Sequence, residues 1–200
     1  MKDFFKNIKQ TLAPFKGIIL FLAAMFGANI LWKLTIIGEE DADLVLLFNR
    51  FDISAFFLAA SRHVAQVVYF FAHIFENSLA LYDKTILYPD NHGVFIIWGC
   101  TGIKQSFIFL AVMLVARGDW QKKLWFIPLG LVLCYVINIV RIMAIVLIVE
   151  KHPELFKLFH TCIFKYIYYG LIFLIWLWWE EVLVKKKINP QINTNKIEGK

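Results

Sequence analysis

Three polar residues within largely apolar stretches could together carry out acyl transfer: Cys100, Arg141 and His160. A cysteine is a strong nucleophile only as the thiolate, and a nearby cation lowers its pKa into the useful range. An imidazole can accept and return a proton near neutral pH. A guanidinium can stabilise either the thiolate or the oxyanion that forms on an attacked carbonyl.

Each of these residues also has a plain structural interpretation. Taken alone, Cys100 is more often a small packing residue, Arg141 could extend to the membrane surface, and His160 could bond a backbone carbonyl. Cys134 and Cys162 lie in apolar surroundings and are predicted to be packing residues. Three cysteines without a Cys-x-x-Cys pair indicate neither a disulfide framework nor a zinc site.

The composition indicates an integral membrane protein. Hydrophobic residues make up 60% of the 200 residues, and the mean hydropathy is +0.65, well above the values of soluble domains. The net charge of +6 is not gathered on one face with stacking aromatic residues, so no nucleic-acid partner is predicted. The histidines lack a spacing that would gather metal ligands, so no metal or other cofactor is predicted.

Four apolar segments are placed as membrane spans: residues 17–37, 94–116, 124–149 and a last helix from about 158 to Trp179. Crossing a core of about 30 Å takes roughly 20 helical residues. A cleaved signal peptide is disfavoured because the first run continues past a cleavage site at Ala28.

The charges indicate the orientation of these spans. Residues 1–16, 117–123 and 185–200 hold 12 of the 21 Lys and Arg residues, whereas the proposed outer segments hold 10 of the 15 acidic residues. Because basic loops stay in the cytoplasm, both termini are predicted to be cytoplasmic. Residues 1–184 are predicted to form one membrane-embedded domain, and residues 185–200 a disordered basic tail.

Residues 53–75 are harder to place. Five polar residues recur there at alternating steps of four and three and form one stripe on a helix: Arg62, Gln66, Tyr69, His73 and Glu76. This helix either spans with its stripe turned inward or lies at the outer interface. A full span would put Lys122 and Lys123 outside unless another crossing lies between residues 76 and 93, so an outer-face or half-inserted helix is favoured.

The predicted fold is an all-α integral membrane protein, a polytopic bundle of about four to six membrane helices, one of them spanning or interfacial. A Pro-Asp-Asn-His-Gly turn signal at residues 89–93 separates two β-prone runs. A short outer-face hairpin is therefore expected directly before Cys100.

Counting helical rises places the three candidate residues at one depth. Cys100 lies about 16 residues above the cytoplasmic end of its span, and Arg141 about 17 above Lys123, which gives roughly 24 to 26 Å for each. His160 lies about 19 residues, or roughly 28 Å, from the inner aromatic cluster. An arginine in a span is costly unless it faces a protein interior. Asn138, on the same face of the helix, is predicted to support Arg141.

Three segments resemble motifs of the exosortase and archaeosortase family. These are Gly99-Cys100-Thr101-Gly102-Ile103, Asn138-Ile139-Val140-Arg141-Ile142 and Phe159-His160, in that order and at the ends of hydrophobic spans. The likeness runs from about Gly93 to Trp179. It looks closest to the short, single-domain exosortases of Bacteroidota-type bacteria.

The resemblance implies a multi-pass cysteine protease or transpeptidase of the bacterial cytoplasmic membrane. Its partners would be exported proteins whose C-terminal sorting signal combines a short motif, a hydrophobic helix and a basic cluster, together with membrane lipid and an acceptor nucleophile. Cys100, Arg141 and His160 would match the family's catalytic residues. Cys100 would attack a peptide bond at the outer face and form a thioacyl enzyme, which the acceptor resolves.

Two other classes of protein remain as alternatives. In a non-catalytic membrane scaffold or transporter subunit, Arg141 and Asn138 would only bond neighbouring helices, and polar contacts of this kind hold bundles together. The absence of an internal repeat weakens a transporter built from two inverted halves. A membrane thiol redox enzyme would need a paired cysteine that the sequence does not supply.

Overall fold

A computed structural model describes residues 16–38, 43–90, 92–152, 154 and 163–185 of the chain. Within these residues the helices are α1 (Lys16–Thr35), α2 (Ser54–Phe75), α3 (Ile103–Val115), α4 (Trp120–Lys151) and α5 (Phe164–Trp178). A π-helical segment, Trp179–Lys185, follows α5 directly. A 3₁₀ turn, Trp98–Cys100, precedes α3.

Two small antiparallel sheets connect the helices. The first sheet joins β1 (Ile36–Ile37), β2 (Leu46–Leu47) and β3 (Phe51–Asp52) between α1 and α2. The second joins β4 (Ala80–Tyr82), β5 (Thr85–Leu87) and β6 (Gly93–Phe95) between α2 and the 3₁₀ turn. The Lys84 ammonium donates to the Asp43 carboxylate and so ties the two sheets together.

The chain is a helical membrane protein whose helices differ widely in length. By length and composition, α1, α2 and α4 could each cross a membrane. The 13 residues of α3 rise only about 20 Å, less than a hydrocarbon core of about 30 Å. The 32 residues of α4 rise about 48 Å, so this helix is long enough to support two successive layers of packing.

The lower layer is defined as α1, α3, α5 and the N-terminal half of α4, in which α3 and α5 pack against α4 and α1 packs against α3. Its buried core is rich in aromatic rings: Phe21, Phe109, Phe126, Tyr168, Trp176 and Trp179. The Phe109 ring lies directly on Gly130, where a Cβ atom would come within 2.1 Å of it. The far end of the layer is closed by Lys123, which is buried and donates to the carbonyls of Leu114 and Ala116 at the end of α3.

The upper layer is defined as the packing of α2 and strands β4–β6 around the C-terminal half of α4. Its core brings Val64, Ala65 and Val68 of α2 together with Ile139, Ile142 and Val146 of α4. The His63 ring is hydrogen-bonded to the Tyr135 hydroxyl at 2.9 Å, and Glu76 interacts with Glu150. Because these two pairs follow the same order along both helices, α2 runs parallel to α4.

The packing of α2 shows where the predicted polar stripe of residues 53–75 lies. The face of α2 that is turned to α4 is apolar, since Val64, Ala65, Val68 and Ala72 are at most 2% exposed. Of the predicted polar stripe, Arg62 and Gln66 are exposed, and Arg62 pairs with Asp83 at 2.6 Å. Tyr69, His73 and Glu76 are half-buried, and Glu76 interacts with Glu150 of α4. The stripe therefore faces outward at Arg62 and Gln66 and borders the contact with α4 at its other end. By length and composition α2 could also span a membrane, so the placement of residues 53–75 stays a prediction.

The segment 94–116, predicted as one span, is divided in the structure. Val94 pairs with Ile86 in the second sheet, and the helix begins only at Ile103. Gly102, with a φ of 80°, adopts a left-handed conformation that ends any helical continuity with the 3₁₀ turn. Cys100 therefore lies in a turn above α3 and not on a membrane-spanning helix.

The close approach of α3 to α4 gives a testable prediction. Gly130→Ala should lower the free energy of unfolding by about 1 to 3 kcal/mol, because the new methyl group overlaps the Phe109 ring. Adding Phe109→Leu should recover part of the loss. Gly27→Ala is the matched control, since no neighbouring atom lies within 4 Å of the position that its new methyl group would take on α1. Thermal unfolding in detergent measures all three; equal effects at Gly130 and Gly27 would contradict this packing.

Candidate active site around Cys100

Cys100 is held in a turn with its own hydrogen bonds. The Cys100 N–H donates to the Ile97 carbonyl at 2.9 Å. The Thr101 hydroxyl donates to the Trp98 carbonyl at 2.7 Å. Cys100 and Thr101 are both buried, at 9% and 6% exposure. Hydrogen bonds within residues 97–101 therefore hold the backbone that carries the thiol, in addition to the contacts that other elements make with it.

Asn138 connects this turn to α4. Its side-chain Nδ2 donates to the Cys100 carbonyl at 2.8 Å, and the residue is 0% exposed. Burial of a side-chain amide costs free energy unless the amide is hydrogen-bonded. This contact gives the Asn138 Nδ2 an acceptor and gives the Cys100 carbonyl a donor. The bond joins residues that are 38 positions apart in the chain.

Gly102 allows the two elements to approach each other. A Cβ atom at this position would lie 3.0 Å from the Asn138 side-chain carbon Cγ, and the positive φ of 80° already disfavours other residues. Glycine at position 102 thus allows both the left-handed backbone conformation and the close approach of Asn138. The Gly99–Ile103 and Asn138–Ile142 segments, which are distant in sequence, form one contact.

The start of α3 adds an electrostatic contribution. The first helical hydrogen bond runs from the Ser106 N–H to the Gly102 carbonyl at 2.9 Å, so the N–H groups before Ser106 have no intrahelical acceptor. The N-terminus of a helix carries a partial positive charge. The turn that carries Cys100 directly precedes this helix end in the chain.

Arg141 lies one helical turn beyond Asn138 on the same side of α4. Its side chain is half-buried, and neither Arg141 Nε nor Asn138 Oδ1 has a hydrogen-bond partner among the described residues. The charge of Arg141 acts on Tyr168, whose hydroxyl donates to the Cys134 carbonyl at 2.8 Å. Arg141 is thus near α5, and its predicted support by Asn138 stays a prediction.

The structure places only part of the predicted site. It brings Asn138 onto Cys100 and puts Arg141 one turn away, whereas His160 and Cys162 lie outside the described residues, as do residues 1–15 and 186–200. Within the described ranges, no group of three or more His, Cys, Asp or Glu residues could hold a metal ion. Cys134 is buried in the lower core, at 1% exposure.

The joined glycine-cysteine and asparagine-arginine segments lie within a family match. The family model described as transmembrane exosortase (Exosortase_EpsH) matches residues 17–178, which include all three candidate catalytic positions. The chain belongs to the transmembrane exosortase family. The resemblance found in the sequence is confirmed at this level, and membership implies a sorting-related transpeptidase role. No curated protein and no solved structure matches the chain.

The Asn138–Cys100 contact of this exosortase was not predicted from the sequence. An isolated asparagine in an apolar helix signals a buried hydrogen bond, but its spacing to Arg141 indicated a partner on its own helix. The His63–Tyr135 pair was missed as well, because His63 falls between the positions of the polar stripe. In both cases the partner belongs to another helix, and spacing along one helix cannot identify it.

Removal of the Asn138 amide should loosen the thiol-bearing turn of the exosortase. Asn138→Ala should lower the free energy of unfolding by about 1 to 3 kcal/mol, because the buried Cys100 carbonyl loses its donor. Iodoacetamide should then alkylate Cys100 several-fold faster, since the residue is only 9% exposed in the intact turn. Mass spectrometry of the peptides resolves this site from the other cysteines.

Asn77→Ala is the control, because Asn77 is exposed in the loop after α2. It should change neither the unfolding temperature nor the alkylation rate. Equal alkylation rates in the Asn138→Ala variant and the unmodified protein would show that the amide does not hold the turn.

Proposed function

We propose that this exosortase is a membrane-embedded cysteine transpeptidase that cleaves the C-terminal sorting signals of exported proteins. The observation that supports it most is the Asn138 bond to the Cys100 carbonyl. This bond fixes the turn of Cys100, directly before an apolar helix, against the residue of α4 that precedes Arg141 by one helical turn. A packing cysteine would need neither the left-handed glycine nor the buried amide.

The proposed reaction proceeds through a thioester. The Cys100 thiol gives its proton to His160, and the sulfur attacks the carbonyl carbon of the scissile peptide bond. Arg141 stabilises the oxyanion that develops on the carbonyl oxygen. The C–N bond then breaks, His160 returns the proton to the leaving amine, and the signal helix departs. An acceptor amine or water then attacks the thioester carbon and gives a proton to His160. The C–S bond breaks, and the departing Cys100 sulfur takes this proton back from His160, which restores the thiol.

The proposed location is the outer face of the bacterial cytoplasmic membrane, with both termini in the cytoplasm. Lys123 and Asn138 are about 15 residues apart on α4, which corresponds to roughly 22 Å. Lys16, Arg117 and Lys123 gather at the end of the lower layer opposite Cys100, and basic residues favour the cytoplasmic side. Cys100 then lies just below the far boundary of a core of about 30 Å.

This depth suits a substrate that is itself anchored in the membrane. A C-terminal hydrophobic helix would hold the preceding motif at the same boundary as Cys100. The upper layer would extend from this boundary toward the exported part of the substrate.

Cysteine substitutions separate the enzyme from a scaffold. Cys100→Ala and Cys100→Ser should each abolish processing of a co-expressed, tagged protein that ends in a sorting signal from the same genome. The expected loss is at least about 10³-fold, as for nucleophile removal in other acyl-transfer enzymes. Western blotting of the tagged protein measures processing, and thermal unfolding checks the fold.

Matched variants complete this test. Cys134→Ala removes a buried cysteine of the lower layer and should retain processing. Arg141→Lys should lose most activity, because lysine keeps the charge but not the planar fork of donors. Normal processing by Cys100→Ser would contradict the proposed function and favour the scaffold.

A further inference from the structure

Buried polar atoms without a partner indicate a ligand site beside Cys100. The described residues include four buried side-chain atoms without a hydrogen-bond partner: His73 Nδ1, Gln105 Oε1, Asn138 Oδ1 and Arg141 Nε. Arg141 Nε, one helical turn from Asn138, therefore does not donate to Asn138 Oδ1. Two of these atoms are oxygens, those of Gln105 and Asn138. Such atoms are rare in native proteins, because each costs the free energy of its lost hydration. Both are acceptors, so the missing partner must supply N–H or O–H groups. The proposed reaction steps do not use either oxygen.

The packing of α3 places Gln105 on the face turned to α4. Gln105 is followed at helical spacing by Ile108, Phe109 and Val112, all at most 1% exposed. Gly102 contacts Asn138, and Phe109 contacts Gly130, so α3 runs antiparallel to α4. Gln105 lies between these two contacts. It is therefore about one helical turn, roughly 5 Å, from Gly102 toward the basic end of the bundle.

We propose that Gln105 Oε1 and Asn138 Oδ1 accept main-chain N–H groups from the first turn of the substrate's hydrophobic helix. The first four N–H groups of any helix lack an internal acceptor, and the hydrocarbon core offers none. In the proposed function, on which this inference rests, that helix begins just below the scissile bond. Its first turn then lies at the depth of Gln105.

If Gln105 serves the substrate and not the fold, removal of its side-chain oxygen should not lower the stability of the protein. Gln105→Met keeps the length of the side chain but removes an acceptor that no described residue uses. Its unfolding temperature should equal or exceed that of the unmodified protein. A glutamine that served the fold through this oxygen would instead make the variant less stable.

Binding of a synthetic peptide tests the inference directly. The probe joins a short polar segment, a polyleucine helix and a terminal Lys/Arg cluster, and a second peptide carries esters in place of the amides of the first helical turn. Affinities are measured in nanodiscs for the unmodified protein, for Gln105→Met and for Gln121→Met. Gln121 is the matched control because it is exposed in the first turn of α4.

The unmodified protein and Gln121→Met should bind the ester peptide about three- to tenfold more weakly than the amide peptide, the effect of one or two hydrogen bonds. Gln105→Met should bind the amide peptide more weakly and should show a smaller ester effect. An equal ester effect in Gln105→Met, no ester effect in the unmodified protein, or no binding would each overturn the inference.

A further variant keeps the two proposals distinguishable. Cys100→Ala should bind both peptides like the unmodified protein while it fails to process the sorting signal. Processing by Cys100→Ala would end the proposed function. The binding data would still test the present inference, because they compare the ester effect in the unmodified protein with that in Gln105→Met.

Discussion

The hydrogen bond from the Asn138 amide to the Cys100 carbonyl is the constraint on which the site depends. An asparagine in the middle of an apolar helix must find a partner, because burial without one is costly. Here the partner is the backbone of the residue that carries the thiol. Gly102 makes the contact possible, since a side chain at that position would push Asn138 away.

The long helix α4 connects this contact to the rest of the bundle. Below Asn138 it packs against α3 and α5, and α1 packs against α3, around a shared aromatic core. Above Asn138 it packs against α2 and the second sheet. The thiol-bearing turn lies where the two layers meet, beside Trp98, whose ring contacts Phe57 of α2 at 5.2 Å.

Much of this arrangement could be predicted from the sequence. The lengths of the apolar runs predicted the helices around residues 17–37 and 124–149. The direction of the helices in the membrane and the common depth of residues 100 and 141 stay predictions. The turn residues between Leu87 and Gly93 marked the strand pair that precedes Cys100. The three motifs together were sufficient to recognise the family. Their order and their positions at the ends of apolar spans exclude far more protein families than any one motif does alone.

The remainder depended on tertiary contacts that local patterns do not encode. The division of residues 94–116 follows from strand pairing with Ile86 and from the left-handed Gly102, whereas composition alone favours one apolar span. Strands of two residues, as in the first sheet, are too short to show an alternating pattern. The partner of Asn138 lies 38 positions away, on a different element.

The central claim is that Cys100 forms a covalent bond with the substrate. Its most direct test is mass spectrometry of the Cys100-containing peptide from membranes in which a sorting-signal protein is processed. The account predicts that this peptide carries an acyl group from the substrate, and that neutral hydroxylamine removes it. Continued processing with an acyl group on another residue, or with no hydroxylamine-sensitive adduct on Cys100, would contradict it.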